Sequence, residues 1–212
     1  MCELYLIMSI MIKILPILFL SLFSNLIFAQ DCPSNINILP MYGKVQKCKE
    51  QIESDNKFIE EMDILFENRT LSAKDRINSA WSYFNNKDYS TAIKRFNQAW
   101  LLKKDMYEIY WGYANISALN DNLSEALDFF KIASEYNPEN ANYYYSYALA
   151  NSQFYIKNKN KLYLHNAIQN LDKAIKIDNK NTHVYDLMAS IYKELKDYDK
   201  MNFYLEKVKN SK

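Results

Sequence analysis

Two histidines, His165 and His183, and the pair Cys32 and Cys48 are the residues whose types could support nucleophilic or metal chemistry. A closed metal site needs about four converging ligands. The histidines stand far from the cysteines in sequence, and nothing else completes such a set. His165 and His183 each fall on a predicted helix with no Cys or Ser motif beside them, so neither has a partner for nucleophilic catalysis. The acidic neighbours Glu60 and Glu61, and Asp197 and Asp199, read as solvated helix faces. Gly43 and Gly112 are the only glycines and stand alone, which leaves no glycine loop to cradle a phosphate. No G-x-S-x-G, H-E-x-x-H or Walker pattern occurs. The expectation is a protein without catalytic residues, metal or cofactor.

Its composition points to the elements that must then carry function. The chain has 212 residues, with 26 basic and 25 acidic side chains and a formal charge of +1. That balance gives no basic excess for nucleic acid. Apolar residues make up 49%, enough for a sizeable core. Only 2 Gly and 4 Pro leave few turn signals for a many-stranded sheet. An all-α architecture is the class that fits. Asn, Lys, Ile and Tyr together supply 86 residues, all with AT-rich codons. Asn-rich and Lys-rich patches, and the N-x-S/T matches at Asn68, Asn115 and Asn122, are therefore discounted as functional signals.

Lys13 precedes an apolar stretch over residues 14–29, followed by the polar Gln30 and Asp31. This is the layout of a secretory signal peptide, residues 1–29, cleaved after Ala29. An uncleaved anchor over residues 4–28 is the alternative, although Lys13, Pro16, Ser21, Ser24 and Asn25 interrupt it. Lipidation at Cys32 is disfavoured by Asp31 directly before it. In an exported chain Cys32 and Cys48, with 15 residues between them, can form a disulfide worth about 3 kcal/mol. Cys48 can equally be a small apolar core residue.

Beyond residue 73 the sequence repeats itself. Ala80, Tyr83, Tyr89, Ala92, Phe96 and Ala99 recur 34 residues later as Ala114, Ser117, Leu123, Ala126, Phe130 and Ala133, closed by Pro138. A third copy carries Tyr144, Tyr147, Ala148, then Leu164, Ala167, Leu171 and Ala174. A fourth carries Tyr185, Met188, Ala189, Tyr192, Tyr198, Met201, Leu205 and Val208. This pattern resembles the tetratricopeptide repeat (TPR), a helix pair of 34 residues. The resemblance implies a short right-handed α-solenoid of about four TPR helix pairs, spanning residues 73–106, 107–140, 141–181 and 182–212. Small residues sit where the two helices of a pair approach, and Phe96, Phe130, Leu171 and Leu205 are expected to fill the space between. Stacked neighbours then supply a core that no single pair can close.

Ala148 and Ala167 are 19 residues apart, against 12 in the other units, so the third unit holds a seven-residue insertion. One added turn on each helix would keep both in register and present residues 157–161 as a cationic tip, either a contact site or a solvated loop. The sequence reaches Lys212 within the last helix, whose polar content (Lys200, Asn202, Glu206, Lys207, Lys209) is expected to protect its outer face. Residues 30–72 form an N-terminal extension. There Val45, Cys48, Ile52, Phe58, Ile59, Met62, Leu65 and Phe66 recur at helical spacing. They predict an amphipathic capping helix over residues 45–66 that covers the first repeat.

By resemblance, the first helix of each pair lines a concave groove. Its expected contacts are Ile77, Trp81, Phe84, Trp111, Asn115, Tyr145 and Leu149, with Trp81 and Trp111 as anchors. The groove should be apolar in its N-terminal half and polar, through His183, Asp186, Ser190 and Lys193, in its C-terminal half. It is either open or plugged by the helix at residues 45–66. A basic clamp for acidic chaperone tails is excluded, since the matching positions Ile77, Trp81, Gly112, Asn142 and Ser146 hold no cation. The implied role is a non-catalytic interaction module for a protein or peptide, exported to the periplasm or cell surface. The alternative is an assembly subunit of a larger envelope complex with no free-peptide ligand. Contact with a membrane is expected only through the N-terminal segment, if it is uncleaved.

Overall fold

The computed structural model describes residues 31–210. The apolar N-terminal stretch and the cleavage expected after Ala29 lie outside these residues. Among the described residues no helix is long and apolar enough to cross a membrane.

Nine α-helices follow one another and no strand occurs among the described residues. They are α1 (Lys49–Leu65), α2 (Arg69–Asn85), α3 (Tyr89–Leu102), α4 (Tyr107–Leu119) and α5 (Leu123–Ser134). Then come α6 (Ala141–Asn158), α7 (Leu162–Ile177), α8 (Thr182–Glu194) and α9 (Tyr198–Asn210). From α2 onward they pair as four antiparallel hairpins, stacked as an all-α solenoid. Side-chain caps explain several of the abundant asparagines. Asn68 accepts from the Leu71 amide, Asn140 from those of Asn142 and Tyr143, and Asn181 from that of His183. Each satisfies an amide that the first helical turn leaves unpaired.

Within each pair the helices meet through alanine. Ala80, Ala92, Ala114, Ala126, Ala148 and Ala167 are all 0% exposed, which lets the backbones approach. Phe96, Phe130 and Leu171 fill the remaining space and are also fully buried. Leu205 departs from its expected place: it is 39% exposed, and α9 buries no residue fully. Among the described residues no further helix packs on its outer side.

Each first helix (α2, α4, α6, α8) touches the first helix of the next pair, whereas the second helices share no comparable contact. The first helices therefore form the crowded inner layer of a curved stack, and the second helices the outer layer.

The insertion divides unequally between its two helices. Ten helical residues follow Ala148, against five after Ala80 and after Ala114. Five precede Ala167, against three before Ala92 and before Ala126. The seven extra residues thus add five to the end of α6 and two to the start of α7. The connecting loop keeps three residues, as in every other pair. Lys157 ends up in the last turn of α6, where its ammonium pairs with Asp121 at 2.6 Å, so the cationic tip is tied back to the second unit.

The N-terminal extension differs from expectation in two ways. The capping helix begins at Lys49, leaving Val45 outside it, and Ile52 and Leu65 are exposed. Phe58, Ile59, Met62 and Phe66 do pack on the core of the first pair. The segment before it is ordered. Met41, Tyr42, Gly43 and Lys44 all have φ between 50° and 66°, a single left-handed turn. Such backbone costs about 1–2 kcal/mol per non-glycine residue. Buried Tyr42 offsets this, as does Asn97 of α3, whose amide donates to the Asn37 and Leu39 carbonyls at 3.0 and 2.9 Å. Tyr113 of α4 in turn donates to Asn97 at 2.6 Å. Cys32 and Cys48 are joined in a disulfide that closes this strap, and Cys48 is also buried.

Candidate functional site

The inner face carries the residues expected to bind. α2 supplies Trp81 and Phe84, and α4 supplies Trp111 and Asn115. α6 supplies Tyr145 and Leu149, and α8 runs beside it. Ile77 does not belong to this face. It is 4% exposed and sits in the core with Met62 and Ala73, because its turn of α2 lies beneath the capping helix.

Trp81 and Trp111 lie together, with ring centroids 4.6 Å apart. Trp81 also meets Phe84 and the buried Phe96 edge-on, both at 5.3 Å. Trp111 stacks on Tyr107 at 6.5 Å and meets Tyr143 edge-on at 6.2 Å. Edge-to-face and offset rings of this kind join the first three units into one cluster. Both indoles are half-buried, and the Trp111 Nε1–H is buried with no acceptor. The two tryptophans are the wall between units rather than side chains standing free in the groove.

The capping helix does not plug the groove. It packs against α2 and α3, and lies over the outer-layer residues Thr91, Lys94 and Gln98 of α3. The inner face therefore stays open. A cleft of about 140 Å³ is lined by Phe84, Asn115, Ala118, Leu119, Leu149 and Gln153. It continues, through Leu149 and Gln153, into a second of about 270 Å³ with Ile156, Leu187 and Ser190.

Apolar exposure on this face is highest away from the tryptophans. Leu119 is 56% exposed, Leu149 37% and Ile156 63%. The C-terminal half is thus not uniformly polar, which corrects the expectation. Ile156 belongs to the five residues added to α6, and so falls outside the inner positions that the repeat pattern assigns. Only the insertion length signalled it. Ser190 keeps its hydroxyl on the Asp186 carbonyl at 2.9 Å, and the Tyr145 ring lies 6.4 Å from that of His183. Burial, and then the Asp186 carboxylate, hold the Tyr145 phenol above its ordinary value. At the far edge Tyr155 donates to the Glu194 carboxylate at 2.8 Å, which fixes α6 to α8 behind the second cleft and raises that phenol. The second cleft is also lined by Ser152, Ser190, Lys159 and Glu194, and the two serine hydroxyls donate to the Ala148 and Asp186 backbone carbonyls.

A family model described as tetratricopeptide repeat matches residues 83–150, and a second matches residues 182–212. The chain belongs to the tetratricopeptide-repeat family. The solved crystal structure of MamA is similar over 79% of this chain and 95% of that one, at 16% identity and a TM-score of 0.56. MamA from Desulfovibrio magneticus RS-1, residue 41 to its end, is similar over 66% of this chain and 75% of that one, at 16% identity and a TM-score of 0.53. At such identity the likeness is one of fold alone. No curated protein matches the sequence. The repeats support a protein–protein interaction module, and repeats of this family are generally non-catalytic scaffolds.

Proposed function

We propose that this tetratricopeptide array is a non-catalytic receptor for a segment of a partner protein in the cell envelope, seated along the apolar shelf Leu119–Leu149–Ile156. The observation that carries this reading is that the two clefts share Leu149 and Gln153 and together draw on residues of all four units, from Phe84 to Leu187. Apolar anchors set in a groove with polar margins are how helical or extended segments are gripped. Phe84 and Leu187 flank the shelf, while Asn115, Gln153 and Ser152 offer hydrogen bonds to a bound backbone.

The envelope location is supported by the apolar stretch at residues 14–29 behind Lys13, and by the Cys32–Cys48 disulfide, a bond favoured in oxidising compartments. The test uses the double variant Leu149→Asp with Ile156→Asp. It should retain the helical circular dichroism of the parent while losing at least tenfold in affinity for the captured partner. Undiminished capture would move the site elsewhere.

One observation favours the second reading, an assembly subunit. Ile64 and Leu65 on α1, and Tyr198 and Phe203 on α9, are exposed at the two ends of the stack, outside the groove. A subunit would elute from native extract within a large complex and keep doing so after the shelf substitutions.

A further inference from the structure

The chain has three arginines, and two of them are matched by an aspartate. Arg69 directs Nε–H and Nη2 at the two carboxylate oxygens of Asp63, 3.0 and 2.8 Å away. Arg76 directs Nε–H and Nη2 at Asp75. Arg95 is different. It is half-buried on α3, and among the described residues no carboxylate pairs with it. Its Nη1 donates to Gln98 at 2.8 Å, its plane faces Tyr83 at 5.9 Å, and its Nε–H is buried with no acceptor. A recessed guanidinium without a counter-ion is costly, since both the charge and the N–H lose water.

Arg95 lines a recess of about 370 Å³ between α1, the strap and α3, on the outer layer and away from the groove. Its wall adds Lys94, Thr91, Gln98, Ser54 and Tyr42. Asp55, the one carboxylate in that wall, is already paired with Lys47. The volume is that of a small-molecule pocket. Lys94 forms no salt bridge among the described residues, although its charge is felt by Asp88, so the recess presents one guanidinium without a counter-ion and an exposed ammonium beside hydroxyl and amide donors.

We propose that this recess is a binding site for a small oxyanion, a carboxylate or phosphate group held by Arg95, with Lys94 at its mouth. The ligand supplies to Arg95 the negative counter-charge that Asp63 and Asp75 supply to the other two arginines. Arg is the residue suited to this task, because its planar fork meets an oxyanion through two parallel hydrogen bonds.

The test is a titration of the mature protein with succinate and, separately, with inorganic phosphate, following the three arginine Nε–H resonances by NMR. The Arg95 resonance should move saturably while those of Arg69 and Arg76, already hydrogen-bonded, stay in place. Response to succinate alone names a planar carboxylate ligand, and response to phosphate alone a tetrahedral one. Arg95→Gln should weaken binding at least about tenfold. Lys94→Gln should weaken it less and leave the Arg95 resonance responsive. If the Arg95 resonance fails to move with either anion, or moves only in step with the other two as general screening would cause, the site does not exist.

Discussion

Phe96 of α3 lies against Gly112 of α4 so closely that a Cβ at position 112 would stand 2.1 Å from the ring's Cζ. Phe96 is fully buried and meets Trp81 on one side and Tyr113 on another, so the ring has nowhere to move. The joint between the first two units therefore depends on bare backbone. Gly112→Ala should destabilise the fold by about 1–3 kcal/mol through overpacking, even though alanine is the better helix former by about 1 kcal/mol. Urea unfolding measures this, and a variant more stable than the parent would contradict the packing.

Trp111 makes the opposite kind of contact, filling space between units. Trp111→Ala removes the ring that joins Trp81, Tyr107 and Tyr143, and should cost about 3 kcal/mol, at the low end for a large aromatic because the side chain is only half-buried. Neighbours share stability in such arrays, so the first three units should all lose hydrogen-exchange protection. An unaltered melt with weakened partner capture would return Trp111 to the role of free-standing anchor.

Buried phenols set the alkaline limit. Burial pushes Tyr110 up to about 12 and holds Tyr113 and Tyr143 above their ordinary value of 10.0. The unfolded chain releases these protons near 10.0 and the folded chain keeps them. Above that pH the native state binds more protons, so stability falls as pH rises. It should be full below 10, then decline through the window between that value and the folded ones. Denaturant midpoints measured alongside tyrosinate absorbance test this, and a stability flat between roughly pH 9 and 11 would refute it.

The strap relies on a disulfide and one buried amide. Reduction should lower stability by about 3 kcal/mol, and Cys32→Ser should remove the response to reductant. Asn97→Ala leaves the Tyr113 hydroxyl and two strap carbonyls without partners, at about 1–3 kcal/mol for each group left dry. Strap amides should then exchange freely while those of α5 to α8 stay protected. Uniform loss across the chain would show that the strap is not a separate unit.

The repeat was legible because its signals are steric and periodic. Alanines at 80, 114 and 148 and large residues at 96 and 130 occupy positions that any stacked hairpin must fill with small and large groups. The strap was not. Its left-handed turn has one glycine in four residues, and the side chain that holds it, Asn97, looks like any other asparagine in an Asn-rich chain. Ile156 was hidden for a related reason. The inner positions follow from a fixed 34-residue pattern, whereas the shelf extends along residues that the pattern does not number. Ile77 failed because a periodic inner position says nothing about what the preceding helix lays over it.

The most direct measurement is photo-crosslinking in native cells from a reactive side chain placed at Ile156, compared with one placed at Lys131, an exposed residue on α5 in the outer layer. A partner seated on the shelf should yield one discrete adduct from position 156, lost when Leu149→Asp is added, and none from position 131. Adducts from 131 but not from 156 would contradict the shelf as the site of binding.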